Sequence, residues 1–189
     1  MNNKILDALW DENPEKLEKA LSSGEDPNQV IEGIPVLAYA ARMDDPRFVK
    51  MLLEHGAKVD VRNEDGDTAI MGAVYAGQTK TVQLLVEYGA NVSETDKDGV
   101  NAFMYAAKGG NIDTMVYLLN KGASLDNRDH EGRTALHWSL TDGDFPEVVK
   151  LLVSKGLDPK DKTKSGLSAL DYANELGRNK SMRVMSANL

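Results

Sequence analysis

Residues 131–143 read "EGRTALHWSLTDG", and three other stretches say nearly the same thing: "DGDTAIMGAVYAG" (65–77), "DGVNAFMYAAKGG" (98–110) and "SGLSALDYANELG" (165–177). Alone, the first invites a catalytic reading, because Glu131, Thr134 and His137 are reactive types in close order with Trp138 beside them. Together, the four are copies of one structural phrase, and the phrase recurs on a fixed period. Gly33, Gly66, Gly99, Gly132 and Gly166 are separated by 33, 33, 33 and 34 residues, and Gly24, Gly56, Gly89, Gly122 and Gly156 by 32, 33, 33 and 34. Such a period marks a stack of repeated supersecondary units, and it governs how any motif inside it is interpreted.

Each copy is built from the same signals. The first glycine follows acids or turn formers, as a turn needing positive φ prefers. Two residues later, Thr68, Asn101, Thr134 and Ser168 have the side-chain oxygens of helix N-caps. A short helix follows with small residues (Ala73, Ala106, Ala107, Ala173) that let neighbouring backbones approach. A second helix carries apolar residues at i, i+3 and i+4: Val49–Leu52–Leu53, Val82–Leu85–Val86, Met115–Leu118–Leu119 and Val149–Leu152–Val153. The second glycine ends it at the left-handed C′ position. Pro14, Pro46 and Pro146 fall where a first-turn proline is welcome.

No single copy buries its apolar face alone, so the copies must stack and share a core. The fold expected is an all-α repeat solenoid: stacked antiparallel helix pairs joined by β-hairpin-like loops, forming one domain over residues 1–189. An N-terminal cap takes residues 1–29, of which only "NPEKLEKALSSGEDPN" reads as helical. Full units follow at 30–62, 63–95, 96–128 and 129–162. A C-terminal cap at 163–189 ends in the basic helix "NKSMRVMSAN".

The pattern resembles the ankyrin repeat, whose phrase runs approximately D-x-x-G-x-T-P-L-H-x-A-A-x-x-G, a second helix, then L-L-x-x-G-A-x-x-N. "RDHEGRTALHWSLTDG" with "VVKLLVSKGLDP", and "NEDGDTAIMGAVYAG" with "VQLLVEYGANV", carry the match, which extends over residues 5–185. The resemblance implies helix pairs with finger-like hairpin loops and a non-enzymatic, protein-binding role. It also implies that Thr134 and His137 are structural, tying a helix start to the neighbouring loop. Departures are Ala in place of the family's Pro after Thr in four units, and Pro35 one position early in the second. The helix-one histidine survives only as His137, replaced elsewhere by Ala38, Met71, Met104 and Asp171. One extra residue in "TDGDF" predicts a local bulge before Pro146.

Other chemistries find little support. Hydrophobic content of 41% and charged content of 28% indicate a folded soluble chain rather than a disordered one. The absence of cysteine excludes disulfides, thiolate zinc sites and cysteine nucleophiles. No window approaches the roughly 18 apolar residues of a membrane span, and no signal peptide is legible, so no membrane association and a cytoplasmic location are expected. A net charge of −8 argues against nucleic acid. The charge is uneven: residues 155–189 hold seven Lys/Arg and four Asp/Glu. His55, His130 and His137 occupy three different unit positions, so stacking builds no metal cluster. Placing Gly66, Gly99 or Gly132 sixth in a calcium loop puts Gly72, Tyr105 or Trp138 where a bidentate glutamate is needed. No phosphate-binding glycine motif occurs, and no cofactor is expected.

What remains is a binding surface. The first-helix position six residues after the turn glycine holds Tyr39, Gly72, Tyr105, Trp138 and Tyr172; three further on stand Arg42, Tyr75, Lys108, Thr141 and Glu175. Tyr39, Tyr75, Tyr105, Trp138 and Tyr172 thus form an expected ladder, with Met43, Met71 and Met104 near it, because Tyr and Trp are favoured interface anchors. The competing reading has the rings simply packing between units. Finger tips, including Glu64, Asp67 and Arg133, supply a charged rim that sets orientation and association rate. The expected protein is a monomer that binds a protein partner as inhibitor, chaperone or regulatory subunit. A hydrolase or small-molecule site at His137, Trp138 and Asp171 is the alternative, and a self-associating structural protein a further one.

Overall fold

The computed structural model describes residues 3–187. The chain packs as two compact units, Met1–Asn91 and Val92–Leu189. The first contains α1 (Lys4–Trp10), α2 (Pro14–Ser22), a hairpin of β1 (Val30–Ile31) and β2 (Ile34–Pro35), α3 (Val36–Ala41), α4 (Pro46–Glu54), α5 (Ala69–Tyr75) and α6 (Thr79–Glu87). Three helix pairs, α1 with α2, α3 with α4 and α5 with α6, lie side by side, so α1, α3 and α5 form one layer and α2, α4 and α6 the other. The second unit repeats the plan with α7 (Ala102–Lys108), α8 (Ile112–Asn120), α9 (Ala135–Trp138), α10 (Pro146–Ser154), α11 (Ala169–Glu175) and α12 (Asn179–Ser186).

The sequence signals fall where their chemistry puts them. Thr68, Asn101, Thr134 and Ser168 are the N-caps of α5, α7, α9 and α11, and Pro14, Pro46 and Pro146 open α2, α4 and α10. All ten glycines of the two series have positive φ, from 77° to 107°. Within the second helices, Val49, Leu52, Val82, Leu85, Met115, Leu118, Val149 and Leu152 are all fully buried. Ala73, Ala106, Ala107 and Ala173 are equally sealed, which is what lets helices so short pack at close range.

Three features differ from the sequence-based expectation. The segment before Asn13 is itself a helix: Asn3 caps α1 by accepting the Leu6 amide at 2.9 Å, and Ile5, Leu6, Ala8 and Leu9 bury its inner face. Paired strands occur, among the described residues, only at β1–β2, where Glu32 (φ 51°) and Gly33 (φ 77°) make the two-residue turn with both centres left-handed that closes a tight hairpin. The loops at Asn63, Asp96 and Asp129 instead close over three residues, the carbonyl at each start accepting the amide of Gly66, Gly99 or Gly132. The extra residue in "TDGDF" shortens α9 to four residues, where the other first helices have six or seven. The Phe145 ring then folds over Gly110 and Gly143, filling space that a Cβ at either would enter at 2.8 and 2.5 Å.

Candidate functional site: the first-helix faces of the two units

In the second unit the site begins in the loops. Asp129 Oδ1 accepts the backbone amides of Glu131 (2.9 Å) and Arg133 (2.8 Å), holding the turn in shape. Its Oδ2 accepts the Trp138 indole N–H at 2.9 Å and Arg133 Nε at 2.6 Å. Asp96 repeats the design: Oδ1 takes the amides of Asp98 and Val100, and Oδ2 takes the Tyr105 hydroxyl at 2.8 Å. In both cases the aromatic stands nine residues after the aspartate, and one carboxylate ties a finger to a helix. The acidic loops are turn chemistry, as their composition implied.

The tether orients the rings. Tyr105 and Trp138 meet at 6.2 Å between centroids, tilted by 52°. Arg133 Cζ lies 4.6 Å and Lys108 Nζ 5.5 Å from the Trp138 centroid, within cation–π range. Lys108 also approaches Asp142 at 3.6 Å. Both rings are half-buried. Their polar groups are spent inside the fold, so what they offer outward is ring surface bordered by cations. Tyr172 belongs partly to the packing, edge-on to His137 at 5.3 Å.

His137 is sealed. Its Nδ1 accepts the Thr134 amide (3.3 Å) and lies 3.1 Å from the Thr134 hydroxyl, which places the ring proton on Nε2. Nε2 makes no close hydrogen bond among the described residues; burial lowers the ring's pKa, and the Leu167 carbonyl opposes that without reversing it. Asp171, the equivalent residue one copy later, is spent on its own helix, accepting the Ser168 amide (2.8 Å) and hydroxyl (2.6 Å). That hydroxyl bond, followed by the amide bond, holds its pKa below the ordinary carboxylate range. A buried histidine and a committed carboxylate do not assemble the alternative site expected around His137, Trp138 and Asp171.

Two candidate residues leave the set. Met71 and Met104 are 1% and 0% exposed, because the position that holds His137 in α9 points into the stack, so neither reaches a partner. Met104 instead receives Asn127 Nδ2 at 3.6 Å, the same amide that donates to the Gly99 carbonyl. Met43 is half-buried and lines an open cleft of about 500 Å³ with Glu12, Asp44 and Arg47, where Asp45 pairs with Arg47 at 2.7 Å. Arg133 is less a rim charge than a strut, given its bond to Asp129. Asp67 likewise accepts Asn63 Nδ2 at 3.0 Å, and the exposed Glu64 lays its carboxyl against Gly33.

In the first unit Tyr39 is half-buried, whereas Tyr75 is 66% exposed. Arg42 is exposed and lies across Gly72, where a Cβ would stand 3.2 Å from its Nε and 3.5 Å from its Cγ. The glycine that interrupts the aromatic stripe is what lets this arginine lie flat. One residue escaped notice in the sequence: Trp10, 71% exposed, ends α1 at the repeat position held by Arg42, the C-cap of α3, and by Tyr75, the last residue of α5. The signal was the register, 32 and then 33 residues.

Glycine-timed helix pairs with capped short helices define an all-α repeat solenoid. The family model for ankyrin repeats (three copies) matches residues 5–96 and 91–163, and the chain belongs to the ankyrin repeat family. The crystal structure of EF0377, an ankyrin repeat protein, is similar with a TM-score of 0.83 and 26% sequence identity, over 97% of this chain and 96% of that one. No curated protein matches the chain. Ankyrin repeats are generally protein–protein interaction scaffolds, and with 577 matching solved chains the fold by itself selects no partner. No helix of the described residues is long and apolar enough to cross a membrane.

Proposed function

We propose that the chain is a non-enzymatic, cytoplasmic scaffold that holds a protein partner, as inhibitor, chaperone or regulatory subunit, with Tyr105 and Trp138 as its principal anchors. The supporting observation is the tethering of these two rings. Each is fixed by a hydrogen bond to a turn carboxylate, so little side-chain entropy remains to be lost on docking. Pre-ordered aromatics ringed by Lys108 and Arg133 suit a partner that presents apolar side chains next to acids. Tyr172 flanks them within the second unit; on the first unit's own first-helix face the proposed contacts are Tyr39, Arg42 and Tyr75, with Glu64 and Asp67 contributing charge at its finger tips.

The experiment is affinity purification from the native host's lysate with the intact chain and with a Tyr105→Ala/Trp138→Ala variant of verified helicity. One defined partner, captured by the parent and lost from the variant, is the expected result. Equal capture by both removes this face from the account. A monomer is expected by light scattering at every concentration; a concentration-dependent oligomer favours the self-associating alternative.

A further inference from the structure

The first unit carries a surface feature that the tethered rings do not explain. Trp10 and Tyr75 end α1 and α5, and Arg42 is the C-cap of α3 at the equivalent repeat position; these three first helices pack side by side. Trp10 and Tyr75 are the most exposed large hydrophobic side chains among the described residues. Between them, the exposed Arg42 side chain extends over Gly72.

Arg42 has no acid. Residues 1–91 hold nine Lys/Arg against sixteen Asp/Glu, so acids outnumber bases nearly two to one. Four of the unit's other eight cations take one: Lys4 binds Glu25 at 2.8 Å, Lys16 binds Asp11 at 2.6 Å, Arg47 binds Asp45 at 2.7 Å and Lys50 approaches Glu54 at 3.7 Å. The Arg42 backbone N–H caps α3, but its side chain, laid against Gly72, makes no hydrogen bond or ion pair with any described residue, Asp7 of the same face included. A guanidinium presents a planar fork that matches a carboxylate in two parallel hydrogen bonds. Flanked by two exposed rings, it forms a slot for one carboxylate with apolar groups to either side.

Resting on the reading of the chain as a protein-binding scaffold, we propose that Trp10, Arg42 and Tyr75 dock an extended partner segment whose Asp or Glu side chain pairs with Arg42 and whose apolar side chains cover the two rings. Neighbouring packed helices lie about 8–10 Å apart. A partner chain in the polyproline-II conformation advances roughly 3.1 Å per residue with about three residues per turn, so every third side chain returns to the same face. The recognised pattern is therefore an acid with an apolar residue about three positions away on each side. The acids elsewhere in the unit slow the approach of such a segment, but they act across water within a Debye length of about 8 Å, whereas the Arg42 contact is direct.

The test is selection of a displayed library of random twelve-residue peptides on the intact chain. Enriched peptides carry the acid-centred, apolar-flanked pattern. Changing their Glu to Gln, Arg42→Gln or Trp10→Ala each weakens binding about tenfold or more, while Arg42→Lys restores it only in part. Circular dichroism and an unchanged thermal midpoint keep loss of fold separate from loss of contact. Enrichment of peptides centred on Lys or Arg, no enrichment, or binders indifferent to Arg42→Gln overturns the proposal. Binders lost in Tyr105→Ala/Trp138→Ala but indifferent to Arg42→Gln leave the scaffold reading standing and remove this slot.

Discussion

Asp129→Asn is the substitution that most sharply separates a tethered indole from one merely lying nearby. The replacement amide keeps an oxygen for the Glu131 and Arg133 backbone amides, as Asn63 does in its own loop for Asp65 and Asp67. It fails at the second oxygen, where an NH₂ group would face the Trp138 N–H and Arg133 Nε, donor against donor. An unsatisfied buried donor costs about 1–3 kcal/mol, and losing the charged acceptor of a pair whose Asp129 side chain is 0% exposed adds to that. We expect about 3 kcal/mol in all, which for a chain of this length lowers the midpoint by roughly 6–12 °C. The assay is thermal and urea unfolding of the parent, Asp129→Asn, Trp138→Ala and the double variant. With the indole gone the amide offends less, so the cycle should show a coupling of about 1–2 kcal/mol. Nature supplies the control: where the loop carries Asn63, the position nine residues later is Gly72. An Asp129→Asn change within about 0.5 kcal/mol of the parent, or a cycle without coupling, refutes the tether.

Two further outcomes concern stability. His137 is held neutral by burial, its folded pKa below the ordinary 6.5. As pH falls through 6.5 the unfolded ring gains a proton that the folded ring refuses, so unfolding free energy declines from there downward; His137→Asn should flatten this slope between pH 7.5 and 5.5 in urea titrations. Asp144 is pushed up by burial but pulled lower overall by the Ser181 hydroxyl and the Ser181 and Lys180 amides, which it caps at 2.6, 2.9 and 3.0 Å. Asp144→Ala should cost about 1–2 kcal/mol at neutral pH and speed amide exchange at Lys180 and Ser181, and the parent should lose that contribution as pH drops below about 4.

The glycine series, caps and first-turn prolines made the helix pairs legible, because each signal is local: a positive φ or an orphan amide is satisfied by a residue within three positions. The helix α1 was harder to see, since "KILDALW" has neither a turn glycine ahead of it nor a proline at its start. Met71 and Met104 were misplaced because a first helix buries more than its apolar stripe when others flank it, and only the stack reveals which side is inward. The links from Asp96 to Tyr105 and from Asp129 to Trp138 were written in the chain at a spacing of nine. They went unread because a helix pattern does not ask which side chain reaches back into the preceding loop. Arg42 over Gly72 needed coordinates outright.

Side-chain footprinting of the chain with and without its captured partner addresses the scaffold reading at its centre. Brief hydroxyl-radical exposure should oxidise Tyr105 and Trp138 in the free chain and leave both protected in the complex, with Tyr117 of α8 labelled equally in the two. A saturated complex in which Tyr105 and Trp138 oxidise as fast as before places the partner elsewhere and contradicts the account.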